Sequence, residues 1–101
     1  MAFLRAAKRE EIPEGAIHEV WLGQHAIALA NVGGRFYALD NTCLHRGGPL
    51  GKGHMEGSVV TCPWHGWTYE VTTGQVTFNP TMAVRTYPVE ERGDEVWVDV
   101  A

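Results

Sequence analysis

The amino-acid sequence predicts an all-β protein, and three observations carry that prediction. Twelve glycines and five prolines cut the 101 residues into short segments, which favours strands and turns over long helices. Several of those segments are apolar, strand-length and separated by two-residue turn signals. At the C-terminal end the residues alternate cleanly, Val96, Val98 and Val100 against Trp97 and Asp99. At this length one domain, residues 1–101, with one modest core is expected, and small cores often lean on a disulfide or a metal.

The elements follow in order. AIHEVWL (16–22) and HAIALAN (25–31) read as strands joined by Gly23 and Gln24, a hairpin link. Val32, Gly33 and Gly34 form the next turn, the glycine pair supplying positive φ, before the strand RFYALD (35–40). Residues 41–57 change character: five glycines, a proline, two histidines and a cysteine with no apolar period, hence one long loop. Short strands resume at SVVTC (58–62) and WTYEV (67–71), with a turn at Thr73 and Gly74. MAVRTYPVEE, a turn at Arg92, Gly93 and Asp94, and EVWVDV make a closing hairpin. The sum is eight to ten short antiparallel strands around a loop too long to be a mere connection.

Charge narrows the partners. The formal net charge is -4 and the eight Lys and Arg are scattered, so nucleic acid is not an expected partner. No stretch approaches the roughly 20 apolar residues of a membrane span, and MAFLRAAKREEIPEG lacks the apolar core of a signal peptide. A soluble, cytoplasmic, monomeric protein is expected. In a reducing compartment two cysteines are ligands or reactive thiols more often than a disulfide.

Both cysteines fall beside a histidine: Cys43-x-His45, sixteen residues, then Cys62-x-x-His65. Each pair is close enough to bind a metal from one loop, and glycines and prolines around each let the backbone bend sharply and approach an inorganic centre. Sulfur and imidazole in equal number suit zinc or an iron-sulfur centre and exclude Mg and Ca. A Cys2His2 zinc site usually keeps its cysteines in one element and its histidines in another, whereas each element here mixes the two. His18, His25 and His54 have no such companion and read as surface or strand histidines. Glu90, Glu91, Asp94 and Glu95, around a hairpin turn, read as a solvated face.

The segments CLHRGG and CPWHGW resemble the two cluster-binding boxes of the Rieske family, and the flanking hairpins resemble a stand-alone Rieske ferredoxin. The resemblance implies a Rieske fold: an antiparallel sandwich or barrel-like base with a small cluster-binding subdomain, its loops at about 41–57 and 62–67. It implies one 2Fe-2S cluster, with Cys43 and Cys62 on one iron and His45 and His65 on the other. Two thiolates cancel the charge of two ferric ions and two sulfides, whereas four thiolates leave a dianion that accepts an electron less readily.

Departures from the family pattern imply a low potential. Rieske subunits of cytochrome bc complexes brace the boxes with an extra cysteine pair, at positions here held by Gly48 and Trp64. They also place a sulfide-bonding serine where this chain has Trp67, and a sulfur-directed tyrosine that survives as Tyr69. Arg46 and Lys52, beside the ligands, are candidate docking charges.

The ligand set leaves no open position for a substrate, and no separate nucleophile with its base is evident, so electron transfer without catalysis is expected. The resemblance implies a carrier between a flavin-dependent reductase and a terminal oxygenase. A small subunit of assimilatory nitrite reductase, paired with its large subunit, resembles the same boxes. A zinc-stabilised interaction module is the reading from another class.

Overall fold

The structure is a computed structural model, and it describes residues 3–101. Those residues form twelve strands in three antiparallel sheets, with two single-turn 3-10 segments and no α-helix. One sheet holds β1 (Phe3–Lys8), β12 (Glu95–Asp99) and β11 (Val89–Arg92) in that order. The second holds β10 (Thr86–Tyr87), β4 (Arg35–Asp40), β3 (His25–Val32) and β2 (Ile17–Leu22). The third runs β5 (His54–Glu56), β6 (Val59–Thr61), β7 (Thr68–Glu70), β8 (Gln75–Val76) and β9 (Asn79–Ala83).

Strand β3 organises the packing because both of its faces are covered. Ile27 and Leu29 point into a core shared with Phe36, Ala38, Val96 and Val98. Ala28 and Ala30 point into a second core with Leu39, Leu50, Val60, Tyr69, Val71 and both cysteines. A strand buried on both faces reads as a continuous apolar run rather than an alternation, which is what HAIALAN is. Its small side chains, Ala28 and Ala30, face the core that carries Cys43 and Cys62. Fully burying Ile27 and Leu29 contributes about 1.5–3 kcal/mol each.

The first two sheets form the base and the third carries the second core outward. The hairpin of β2 and β3 turns at Gly23 and Gln24, with Leu22 opposite His25. Gly33 and Gly34 adopt φ of 60° and 93° in the next turn, where a side chain would be strained.

Three expectations from the sequence need correction, and one strand adds to them. The loop after β4 does not extend to residue 57: a 3-10 turn spans Leu50–Lys52, and β5 pairs with β6 from His54↔Thr61 to Glu56↔Val59. This pairing was hidden because HME is short and polar, and it becomes a strand only through its neighbour. The closing hairpin forms between β11 and β12, Val89↔Val98 to Arg92↔Glu95, but only the last residues of MAVRTYPVEE are its arm. That segment is divided among β9, β10 and β11, each in a different sheet, with Pro88 between the last two. Proline lacks an N–H for a ladder and suits such a break. FLRAAK, unassigned in the sequence, is β1: it pairs with β12 across ninety positions, with a bulge between Arg5 and Ala7. The acids at the closing turn are also not simply solvated, since Glu90 pairs with Arg92, Glu91 with Arg9 and Glu95 with Arg5. Such exposed pairs contribute little stability.

Candidate functional site

Two loops meet at the outer end of the third sheet. The first follows β4 and is closed by backbone bonds around its cysteine: the Cys43 N–H donates to Gly48 O at 2.9 Å, and the Gly47 N–H to Cys43 O at 2.9 Å. The second runs from Cys62 to Trp67, between β6 and β7, and the Cys62 N–H donates to Trp67 O at 2.7 Å. Its turn places His65 at φ 68°, the one positive φ outside glycine among the described residues, followed by Gly66 at 76°. A left-handed histidine costs on the order of 1 kcal/mol and is held only where surrounding contacts demand it.

The two loops bring all four sequence-predicted residues together as two unlike pairs. Cys43 and Cys62 are free thiols, buried to 2% and 1% exposure, and close enough that each perturbs the other's ionisation. Above them His45 and His65 are exposed, with ring centroids 5.3 Å apart and planes nearly perpendicular. No three of the described His, Cys, Asp or Glu side chains gather as for a single ion. Paired thiols below and paired imidazoles above fit a centre with two metals.

Donors converge on the sulfurs. Burial raises the cost of ionising Cys43, yet the Tyr69 hydroxyl and the amides of His45 and Arg46 outweigh it and lower its pKa. For Cys62 burial wins and the thiol is pushed up, despite the Trp64 N–H at 3.4 Å, with the Cys43 charge adding to the rise. Tyr69 is fully buried on β7, its Oη 3.2 Å from Cys43 Sγ, and it accepts the Leu44 N–H at 2.9 Å. Burial, then the bond to Cys43, pushes the phenol pKa up, so its hydrogen stays available to the sulfur. Tyr69 is therefore at once a core aromatic and a sulfur partner.

Gly48 supplies a second sign of close approach. A Cβ there would stand 2.6 Å from Cys62 Sγ and 3.0 Å from Trp64 Cβ and Cγ. Positions 48 and 64 are thus in contact, with Trp64 resting on bare glycine backbone and remaining 51% exposed. Trp67 is half-buried and lies flat on His45, 4.7 Å between centroids and 3° between planes. Arg46 is exposed in the turn next to His45, and Lys52 is exposed at the end of the 3-10 turn.

Sequence reasoning missed three contributors. Asn41 is buried, donates to Glu19 Oε2 at 2.6 Å and accepts the Gly51 N–H at 2.7 Å, tying the first loop to β2. Nothing in its sequence position signals this. Leu44 and Phe78, exposed to 46% and 61%, lie by the imidazoles: Leu44 precedes His45, and Phe78 meets Trp67 edge-on. An exposed leucine inside the CLHRGG box was a readable hint.

Comparison with known proteins agrees with this geometry. The Rieske [2Fe-2S] domain family model matches residues 2–88. The ferredoxin component of a naphthalene 1,2-dioxygenase system from Pseudomonas aeruginosa is 37% identical over 92 residues, covering 90% of this chain and 88% of the relative. The Sphingomonas yanoikuyae B1 ferredoxin superposes with a TM-score of 0.89 at 28% identity, covering 99% of this chain and 100% of the other. A chain from the complex of reduced oxygenase and oxidized ferredoxin in carbazole 1,9a-dioxygenase gives 0.85 at 32% identity, over 95% and 91%.

The chain belongs to the Rieske [2Fe-2S] family. Within it, this is a ferredoxin of the kind found in dioxygenase systems, an electron-transfer component that carries one Rieske 2Fe-2S cluster and is not itself the catalyst. The zinc-module reading is thereby replaced. Among the described residues no helix is long and apolar enough to cross a membrane.

Proposed function

We propose that Cys43 and Cys62 hold one iron and His45 and His65 the other, and that the chain passes single electrons from a flavin-dependent reductase to a terminal oxygenase in the cytoplasm. The observation that supports this most directly is the pairing of two buried thiols, served by N–H and O–H donors, beneath two exposed imidazoles. When bound, the cluster supplies reversible one-electron chemistry. The protein's share is to keep the sulfurs dry, to direct hydrogen bonds at them, and to leave the imidazole edge open to a partner.

Leu44, Trp64 and Phe78 add exposed apolar surface by that edge, and Arg46 adds a charge with no ion-pair partner among the described residues. Such a surface suits brief docking, with apolar contact for affinity and Arg46 and Lys52 for orientation. Relatives of matching length include ferredoxin components of dioxygenase systems, and one solved chain comes from a complex of oxygenase and ferredoxin, which favours an oxygenase as acceptor. Nothing comparable favours a nitrite reductase large subunit.

A low potential also belongs to this reading, near the lower end of the roughly -150 to +300 mV family range. Trp67 offers no hydroxyl where a serine would bond sulfide, so Tyr69 is the remaining side-chain donor near the sulfurs. Iron and acid-labile sulfide analysis, an EPR spectrum of the reduced protein, and voltammetry test all of this together. Cys43→Ser or His65→Ala should abolish the EPR signal. A colourless, EPR-silent protein holding one zinc, or a midpoint well above 0 mV, would overturn the respective part.

A further inference from the structure

The two imidazoles do not share one environment. His45 has an indole flat against one face, while the only ring that His65 meets among the described residues is His45 itself, edge-on. The indole is itself held: Phe78 abuts Trp67 at 5.0 Å and 85°, so its edge braces the indole while Phe78 remains 61% exposed. The order His45, Trp67, Phe78 is a wall of three rings running from the loop tip to the turn before β9. An imidazole has one soft torsion that sets its ring plane, and a parallel neighbour removes that freedom while excluding water from the covered face.

We infer that Trp67, braced by Phe78, is a positioning residue that fixes the ring plane of His45 and keeps one face of the site dry. The inference rests on the proposed role of His45 as a ligand. A fixed ligand plane means that little rearrangement accompanies a change of charge, and a dry face disfavours the added negative charge of the reduced state. The fixed plane favours fast exchange, and the dry face favours a low potential. Trp67 thus contributes through the ring it presents, and not only through the serine hydroxyl it lacks.

The test uses the intact, cluster-loaded protein. Pulsed EPR of the dithionite-reduced form resolves nitrogen hyperfine couplings from the coordinated imidazoles, and redox titration gives the midpoint. Trp67→Leu should shift the couplings of one imidazole and leave the other in place, with the midpoint moving upward. Trp67→Phe, which keeps a flat ring, should restore most of both, and Phe78→Leu should give a smaller shift of the same sign. Trp21→Leu, exposed on β2, is the control and should change neither.

Unchanged couplings and midpoint in Trp67→Leu would overturn the inference, as would a Trp67→Phe protein as altered as Trp67→Leu. If Trp67→Leu does not retain its cluster, Phe78→Leu decides, since it removes only an exposed ring: no shift there overturns the bracing. Failure of the ligand assignment looks different, because the wild-type protein would then show no imidazole nitrogen couplings at all.

Discussion

Replacing Tyr69 with phenylalanine isolates one hydrogen bond to sulfur. The ring stays in its fully buried site, so packing is kept and no cavity opens. What is lost is the hydroxyl 3.2 Å from Cys43 Sγ, which also accepts the Leu44 N–H at 2.9 Å. A bond to a charged acceptor is worth about 1.5–3 kcal/mol in total, and the midpoint senses only the part that differs between oxidised and reduced states. Taking that difference as about 0.5–1.5 kcal/mol, and about 59 mV per tenfold for one electron, the midpoint should fall by about 20–65 mV. Stability should fall too, by about 1–3 kcal/mol, because the Leu44 amide loses its acceptor. Protein-film voltammetry gives the first quantity and a thermal melt the second. A midpoint that stays or rises while the melt shows the stability loss would refute the view that Tyr69 stabilises the reduced state.

Gly48→Ala should impair cluster incorporation and cost about 1–3 kcal/mol, since its Cβ would stand 2.6 Å from Cys62 Sγ; iron per chain after reconstitution measures it. Asn41→Leu removes the bond that ties the first loop to Glu19 of β2 and the bond that closes the loop onto Gly51, and should cost about 1–3 kcal/mol with faster iron loss to a chelator, against an expectation of no change if the tie is incidental. Glu70 gives a pH dependence: burial pushes its carboxyl up, but bonds from Thr72 and Ser58 outweigh that and lower it. Its folded pKa lies below its unfolded value, so its stabilisation is present above the ordinary glutamate range and is lost as pH falls through the folded pKa. Glu70→Gln should therefore flatten the acid limb of the melting-temperature profile relative to wild type, and parallel profiles would contradict this.

The candidate ligand boxes stand out in the sequence because their chemistry is local. A cysteine and a histidine with one or two residues between them must share a loop, and the glycines beside them mark where a backbone approaches closely. The base hairpins were legible for a similar reason, since Gly23 and Gln24 or Gly33 and Gly34 join strands that pair with their immediate neighbours. Strands whose partners lie far away were not. FLRAAK has no alternation of its own and is a strand only because β12 lies beside it, and MAVRTYPVEE carries no mark of belonging to three sheets.

The same division holds at the site. Residue type and spacing settled which side chains could meet a metal, because coordination chemistry admits few donors. The family resemblance implied that Gly48, Trp64 and Trp67 stand where Rieske subunits of cytochrome bc complexes carry cysteines or a serine. Only the tertiary structure decided that Gly48 must lack a side chain because Cys62 and Trp64 fill its space, that Tyr69 serves core and sulfur at once, and that Asn41 anchors the loop. It alone stacked Trp67 on His45 and set Phe78 edge-on against Trp67 at the surface. The physical reason is that donor chemistry is a property of single residues, whereas ring stacking, steric exclusion and hydrogen-bond direction depend on distances between segments that the chain order does not encode locally.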